Sequence, residues 1–233
     1  MNVSAVIVAG GTGKRMNAGI PKQLLMLGGM SILERTLQPF LACDEITEIV
    51  ITAAEEIIGP ITDSTERIQT EQHIIVVPGG KERQDSVWNG LAALSPESDI
   101  VIVHDGVRPF ITPQIIKKCI HAAAKWGAVS VMRPVKETVK TVENDRVIET
   151  LDRSKLWITQ TPQVFRTVLI REAHERARLD GYYGTDDCIL VERLGHEVHI
   201  IEGDEMNIKI TTPADLKIAG AILALFENGE RQC

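Results

Sequence analysis

Six short apolar, β-branched runs recur along the chain: Ala5–Val8, Glu48–Thr52, Ile74–Val77, Ile100–His104, Val129–Met132 and Val198–Ile201. They are largely apolar on both faces, which predicts strands covered on both sides, as in a mostly parallel sheet. Helical spacing fills the gaps. Ser31 precedes Ile32, Leu33, Thr36, Leu37 and Phe40, and Asp85-Ser86 precedes Val87, Leu91 and Leu94. Thr112-Pro113 reads as a cap followed by proline in the first turn. It leads into Ile116, Cys119, Ile120 and Ala123, with Gly127 as the stop. Thr185 heads a further helix ending at Gly195, and Thr212-Pro213 heads the last, through Leu216, Ala219, Leu223 and Phe226. This alternation predicts a layered α/β fold, with chemistry in the loops beyond the carboxyl ends of the strands.

Residues 134–157 break the pattern. Val135, Thr138, Val139, Thr141 and Val142 precede the polar turn Glu143-Asn-Asp-Arg146, and Val147, Ile148, Thr150 and Leu151 follow it. Two strand-like runs around such a turn predict a hairpin. It has too few apolar residues for a core of its own, and an isolated hairpin is marginal in water. It is expected to project as an arm and pack on something else, most economically a second copy of the chain. No linker or repeat divides the sequence, so 1–233 is expected to be one domain carrying that arm.

Composition changes this picture little. A chain of 233 residues can bury a sizeable core. A net charge of −7 argues against general nucleic-acid binding, while one locally cationic cleft could still take a small anion. The four cysteines, Cys43, Cys119, Cys188 and Cys233, are scattered and form no metal-ligand spacing. With no signal segment and no membrane-length apolar run, the expectation is a reduced cytoplasmic protein without membrane partners.

The chemistry concentrates in the loops. The first strand runs into Gly10, Gly11 and Gly13, then meets Lys14, Arg15 and Lys22. Glycines let backbone N–H groups approach phosphate oxygens, and the cations offset their charge, so this stretch predicts a polyphosphate cradle. It is not a Walker loop, because Lys14 is followed by Arg15. Nor is it the dinucleotide fingerprint, since Met16 stands where a third glycine is required. A second glycine loop, Pro78 to Ser86, places Ser86 at a predicted helix start, where an anion or ribose could bind, although in isolation the loop reads first as a capped turn. Asp105, closing a strand, is placed to hold a metal ion or a substrate hydroxyl. His104 beside it is expected to orient the loop; a turn cap at Asp105 and a surface salt bridge at Arg108 are the alternatives. Gln160-Thr-Pro-Gln163 reads as a polar turn. Alternation through Asn207-Ile-Lys-Ile-Thr211 puts Asn207, Lys209 and Thr211 on one face, so that Lys209 either supplies a cation to a second phosphate or snorkels to the surface. No Ser–His or His–carboxylate pairing points to covalent catalysis.

Taken in order, these segments resemble the 2-C-methyl-D-erythritol 4-phosphate cytidylyltransferases of the non-mevalonate isoprenoid pathway. The matching pieces begin with Ala9-Gly-Gly-Thr-Gly-Lys-Arg-Met16, Pro21-Lys-Gln23, Gly79-Gly80 with Asp85-Ser86, and His104-Asp-Gly-Val-Arg-Pro109. They continue with Pro134-Val-Lys-Glu-Thr-Val-Lys140, Asp152-Arg-Ser-Lys-Leu-Trp157, Gln160-Thr-Pro-Gln163, Thr185-Asp-Asp187 and Asn207-Ile-Lys-Ile-Thr-Thr-Pro213. The resemblance implies a Rossmann-like three-layer nucleotidyltransferase fold, a homodimer formed through the arm, and CTP with Mg²⁺. It implies that Arg15 and Lys22 act at the α-phosphate. Ala9, Gly10, Gly11, Gly80, Ser86 and Gly106 would hold the cytidine and its phosphates. Arg153 and Lys209 would position the sugar phosphate, in a second site lined by Asp105, Arg108, Thr138 and Thr161, with Thr138 and Arg153 reaching across the dimer. Ribitol 5-phosphate cytidylyltransferases share these loops. A nicotinamide dehydrogenase lacks support at the glycine loop, and a non-catalytic nucleotide-binding module would not need Lys22, Asp105, Arg153 and Lys209 together.

Overall fold

The computed structural model describes residues 1–11 and 19–227. Its strands are β1 (Val3–Ala9), β2 (Met26–Leu27), β3 (Met30–Ser31), β4 (Ile46–Ala53), β5 (His73–Pro78), β6 (Ile100–Asp105), β7 (Ala128–Pro134), β8 (Lys140–Glu143), β9 (Arg146–Thr150), β10 (Trp157–Arg166) and β11 (His199–Glu202). The helices are α1 (Ile32–Leu41), α2 (Ile58–Thr65), α3 (Arg83–Ala93), α4 (Pro113–Trp126), α5 (Thr167–Leu179), α6 (Cys188–Arg193) and α7 (Pro213–Glu227). Seven strands form one sheet in the order β11-β7-β10-β6-β1-β4-β5. β10 alone runs antiparallel to its neighbours.

Strand alternation sorts the core into two layers, as a covered sheet requires. Val3, Ala5, Ile7 and Ala9 of β1 join Ile49 and Ile51 of β4 and Ile102 of β6 on one face. There they meet Leu33, Leu37 and Phe40 of α1, Ile61 of α2 and Ile116, Cys119 and Ile120 of α4. Val6, Val50, Val101 and Val103 face the other way, toward Val87 and Leu91 of α3, Ile170 and Ala173 of α5, and Leu190 and Val191 of α6. α7 builds a smaller cluster in which Ala219, Ile222 and Leu223 cover Leu27, Ile32, Val107, Phe110 and Ile210. The layered α/β reading therefore holds. So do two caps: Ser31 accepts from Glu34 N–H in a reciprocal capping box, and Thr112 accepts from Ile115 N–H ahead of Pro113.

Four expectations need correction. Gln160–Gln163 is part of β10, not a turn. A bulge between Thr159 and Gln163 accommodates Pro162. Its polar side chains are satisfied at a distance: Gln163 donates to Asp186 Oδ2 at 2.8 Å and accepts from Asp187 N–H at 3.1 Å. Residues 207–211 form no strand; Asn207 is fully buried and pins the loop by donating to Thr161 O at 2.9 Å. α3 starts at Arg83, capped by a Glu82/Asp85 box, so Ser86 lies inside its first turn. α6 begins at Cys188 rather than at Thr185. The hairpin is present as β8 and β9, whose two-residue turn puts Asn144 (φ 48°) and Asp145 (φ 62°) in the left-handed region, where Asn and Asp are at home. Val142, Val147 and Ile148 are exposed on it.

Candidate active site

The carboxyl ends of β1, β5 and β6 surround a cleft of about 250 Å³. β1 ends in Gly10 and Gly11, and Gln23, 1% exposed, ties that end down by donating to Ala9 O and to Gly11 O, the latter at 2.8 Å. This brings Lys22 into the cleft, its stem beside Gly11. Across from it, β5 ends in the second glycine loop. A Cβ on Gly10 would lie 3.1 Å from Ser86 Oγ and 4.0 Å from Gly79 Cα, so a side chain there would crowd the approach of the two loops. Ser86 Oγ accepts from Gly80 N–H at 3.0 Å and donates to Glu82 O at 3.1 Å. Lys81, Arg83 and Lys209 complete a cationic wall. A larger cleft, about 1110 Å³, lies at the opposite, amino-terminal end of the parallel strands, around Trp126 and Arg166. Open α/β sheets hold their ligands at the carboxyl ends, and only the smaller cleft combines glycine loops with converging charge.

Asp105 forms its floor. The side chain is 6% exposed and meets three cations: Arg83 Nε at 3.3 Å on one oxygen, Arg108 Nε and Lys209 Nζ at 3.0 Å each on the other. Burial by itself would raise this carboxyl; the charges of Arg83, Lys209 and Arg108 outweigh it and hold it well below the usual carboxylate range. Asp105 therefore stays ionised and acts as an acceptor, not as an acid. His104 is fully buried, its Nε2 on Arg108 O at 3.1 Å and its Nδ1 on Thr161 Oγ1 at 3.0 Å. Burial pushes the imidazole down to about 4, so it is neutral and orients the loop. Thr161 in turn accepts from Asp105 N–H at 3.1 Å.

The family model IspD, 2-C-methyl-D-erythritol 4-phosphate cytidylyltransferase, matches residues 3–225. The chain belongs to this family. A 2-C-methyl-D-erythritol 4-phosphate cytidylyltransferase of Geobacillus thermodenitrificans is 47% identical over 224 residues, 96% of this chain and 98% of its own. One of Halalkalibacterium halodurans is 46% identical over 228 residues, covering 98% and 100%. Among solved structures, the 4-diphosphocytidyl-2C-methyl-D-erythritol synthase of Anaerococcus prevotii superposes with a TM-score of 0.85 at 35% identity, covering 95% of this chain and 98% of its own. The 2-C-methyl-D-erythritol 4-phosphate cytidylyltransferase of Thermus thermophilus gives 0.79 at 33%, covering 96% and 100%.

Of the residues that resemblance to these cytidylyltransferases singles out, Gly10, Gly11, Lys22, Gly80, Ser86, Asp105 and Lys209 line the cleft. Ala9 and Gly106 lie beneath it, Gly106 N–H donating to Val8 O at 2.9 Å. Arg108 and Thr161 hold Asp105 from behind. Thr138 and Arg153 are exposed on the arm and do not line the cleft; Arg153 Nη1 donates to Lys136 O at 2.8 Å, and Lys136 pairs with Glu205. Arg15 lies outside the described residues. Sequence reasoning passed over Gln23, Arg83 and Asp187. Each stands inside a quoted motif or loop, and only the fold gives it a partner. Among the described residues no three His, Cys, Asp or Glu side chains gather for a metal. Among the described residues the carboxylates lining the cleft are Glu82 and Asp105, and both Asp105 oxygens are taken by Arg83, Arg108 and Lys209. Among the described residues no helix is long and apolar enough to cross a membrane.

Proposed function

We propose that this chain joins CTP and 2-C-methyl-D-erythritol 4-phosphate, giving 4-diphosphocytidyl-2-C-methyl-D-erythritol and pyrophosphate. The observation that carries this reading is the cleft itself, where two glycine loops face each other over a carboxylate gathered by three cations. An oxygen of the phosphate monoester forms a bond to the α-phosphorus of CTP as the bond to pyrophosphate breaks. A phosphate dianion is already a competent nucleophile near neutral pH, so no general base is needed, in keeping with a neutral, buried His104. Two polyanions must be brought together and transition-state charge stabilised, so positioning and electrostatics carry the rate.

In this reading the triphosphate lies against the Ala9–Gly11 backbone, Gly80 and Ser86, with Gly106 shaping the wall below. Arg15 and Lys22 stabilise the α-phosphate. Lys209 and Arg153 hold the polyol phosphate. Asp105, steadied by Arg108 and Thr161, accepts from the polyol hydroxyls. Mg²⁺ brought by CTP would be held by the phosphates, with Asp105 the carboxylate that faces it, and would offset their charge. Thr138 and Arg153 reach such a site from a second copy of the chain, which makes a homodimer through the arm part of the reading. It further takes residues 1–233 as one catalytic domain acting in the cytoplasm on small molecules. Pyrophosphate release with Mg²⁺, four nucleotides, and methylerythritol phosphate against ribitol phosphate tests it. Turnover with CTP and methylerythritol phosphate is expected, and a preference for another pair would overturn it.

A further inference from the structure

Behind Asp105 a line of buried charge runs out of the cleft. Arg83 reaches Asp105 Oδ1 with Nε at 3.3 Å, and Asp187 Oδ2 with Nη1 at 2.6 Å. Asp187 spends its other oxygen on His174 Nε2 at 3.1 Å. Its backbone N–H is held by Gln163 Oε1 at 3.1 Å. The Asp187 side chain is 1% exposed and that of His174 is fully buried. Asp187 sits at the head of α6, His174 in α5 and Arg83 in the first turn of α3, so the three come together only when these helices dock on one face of the sheet.

The distances order the roles. Arg83 is gripped more tightly by Asp187 than by Asp105, so the guanidinium takes its seat from the element outside the cleft. A planar fork seated this way presents Nε to Asp105 in one orientation only. Lys209 behaves differently. It is 38% exposed and arrives on a loop, and it shares Asp105 Oδ2 with Arg108. If Lys209 turns to a substrate phosphate, Asp105 keeps its charge balanced only because Arg83 and Arg108 remain.

We propose that Asp187 and Arg83 are positioning residues which fix Asp105 for the polyol hydroxyls and free Lys209 for the polyol phosphate. Asp187 does this without touching either substrate. The inference rests on the reaction assigned above and deepens it.

A double-mutant cycle on polyol-phosphate use tests the inference, because residues that act as one unit are non-additive whereas independent structural damage adds. Asp187→Asn is expected to lower kcat/KM for 2-C-methyl-D-erythritol 4-phosphate about tenfold or more, with KM for CTP within about twofold. In an Asp105→Asn background the same substitution should cost less than about threefold. Where turnover is too slow, polyol-phosphate binding to the CTP-loaded protein reads the same cycle. Equal losses in both backgrounds, a defect shared equally with CTP, or no defect would each overturn the inference. Should Asp187→Asn fail to fold, Arg83→Lys, which keeps the charge and loses the fork, goes through the same cycle under the same criteria. Wild-type protein that releases no pyrophosphate would sink the assigned reaction and the inference with it; wild-type turnover with additive losses sinks the inference alone.

Discussion

A buried carboxylate among three cations is asymmetric in its energetics: removing its charge leaves Arg83, Arg108 and Lys209 crowded together without a counter-charge, even though Arg83 and Lys209 reach solvent in part. Asp105→Asn is therefore expected to cost about 3–5 kcal/mol of stability, read from urea unfolding, besides abolishing most turnover. His104 makes a pH-dependent contribution. Its imidazole binds a proton near 6.5 when unfolded and only near about 4 when folded, so between those values the unfolded state carries more protons. Stability is then intact above pH 6.5 and falls as the pH drops toward 4, by roughly 3 kcal/mol in the limit. Denaturation midpoints at a series of pH values should show that slope, and His104→Gln should flatten it. In the proposed reaction Lys22 and Arg15 stabilise the α-phosphate. Replacing either by Ala is expected to lower turnover roughly a hundredfold or more, by analogy with losing a preorganised donor. Near-normal turnover would remove that residue from the mechanism.

Elements whose partners lie on their own face were legible. The apolar runs of β1, β4, β6 and β7 announce burial directly, and Ser31 and Thr112 announce helix starts by local capping chemistry. β10 was not legible, because Gln160, Thr161 and Gln163 are polar and Pro162 interrupts them. Their burial depends on Asp186, Asp187, Asp204 and Asn207, which are far away in the chain. For Lys209 the expected alternation left cleft and surface both open, only the resemblance put it at the cleft, and the backbone there forms no strand. What points it inward is the anchoring of its loop, where Ile210 N–H donates to Val107 O at 3.0 Å and Asn207 is buried. For the glycine loop, Gly80→Ala would set a Cβ 2.2 Å from Asp85 Cβ. The cap of α3 must then shift, and nucleotide KM is expected to rise at least about tenfold in steady-state assays. On the arm, Ile148 is 59% exposed, and Ile148→Asp is expected to yield monomer in sedimentation velocity, with the kinetic defect falling on the polyol phosphate. An intact dimer would detach the arm from assembly.

At the scale of the whole molecule, the net charge of −7 says nothing of the cleft, where cations from residues 22, 81, 83 and 209 converge. Each glycine loop was visible in the sequence, the first as a candidate polyphosphate cradle and the second, taken alone, as a capped turn. Their meeting was visible only through the ordered set, and the line from His174 to Asp105 was not visible, because no local pattern links residue 83 to residue 187. Chelation separates substrate-borne from structural metal: EDTA is expected to abolish turnover while leaving the melting temperature within about a degree, since an ion that arrives on the nucleotide contributes nothing to the folded free energy of the free protein. The sheet order also has a consequence for synthesis. β6, β1, β4 and β5 are complete once residue 105 has emerged, but the far neighbour of β6 is β10, which ends at residue 166. For those sixty-odd residues of translation the nascent chain offers an apolar strand with one side unpaired, a natural template for intermolecular pairing. The arm is made within that interval. Slow codons or stalling there would expose the growing protein where it is most vulnerable to aggregation, and a holdase is most useful to it before the chain returns to close its own sheet.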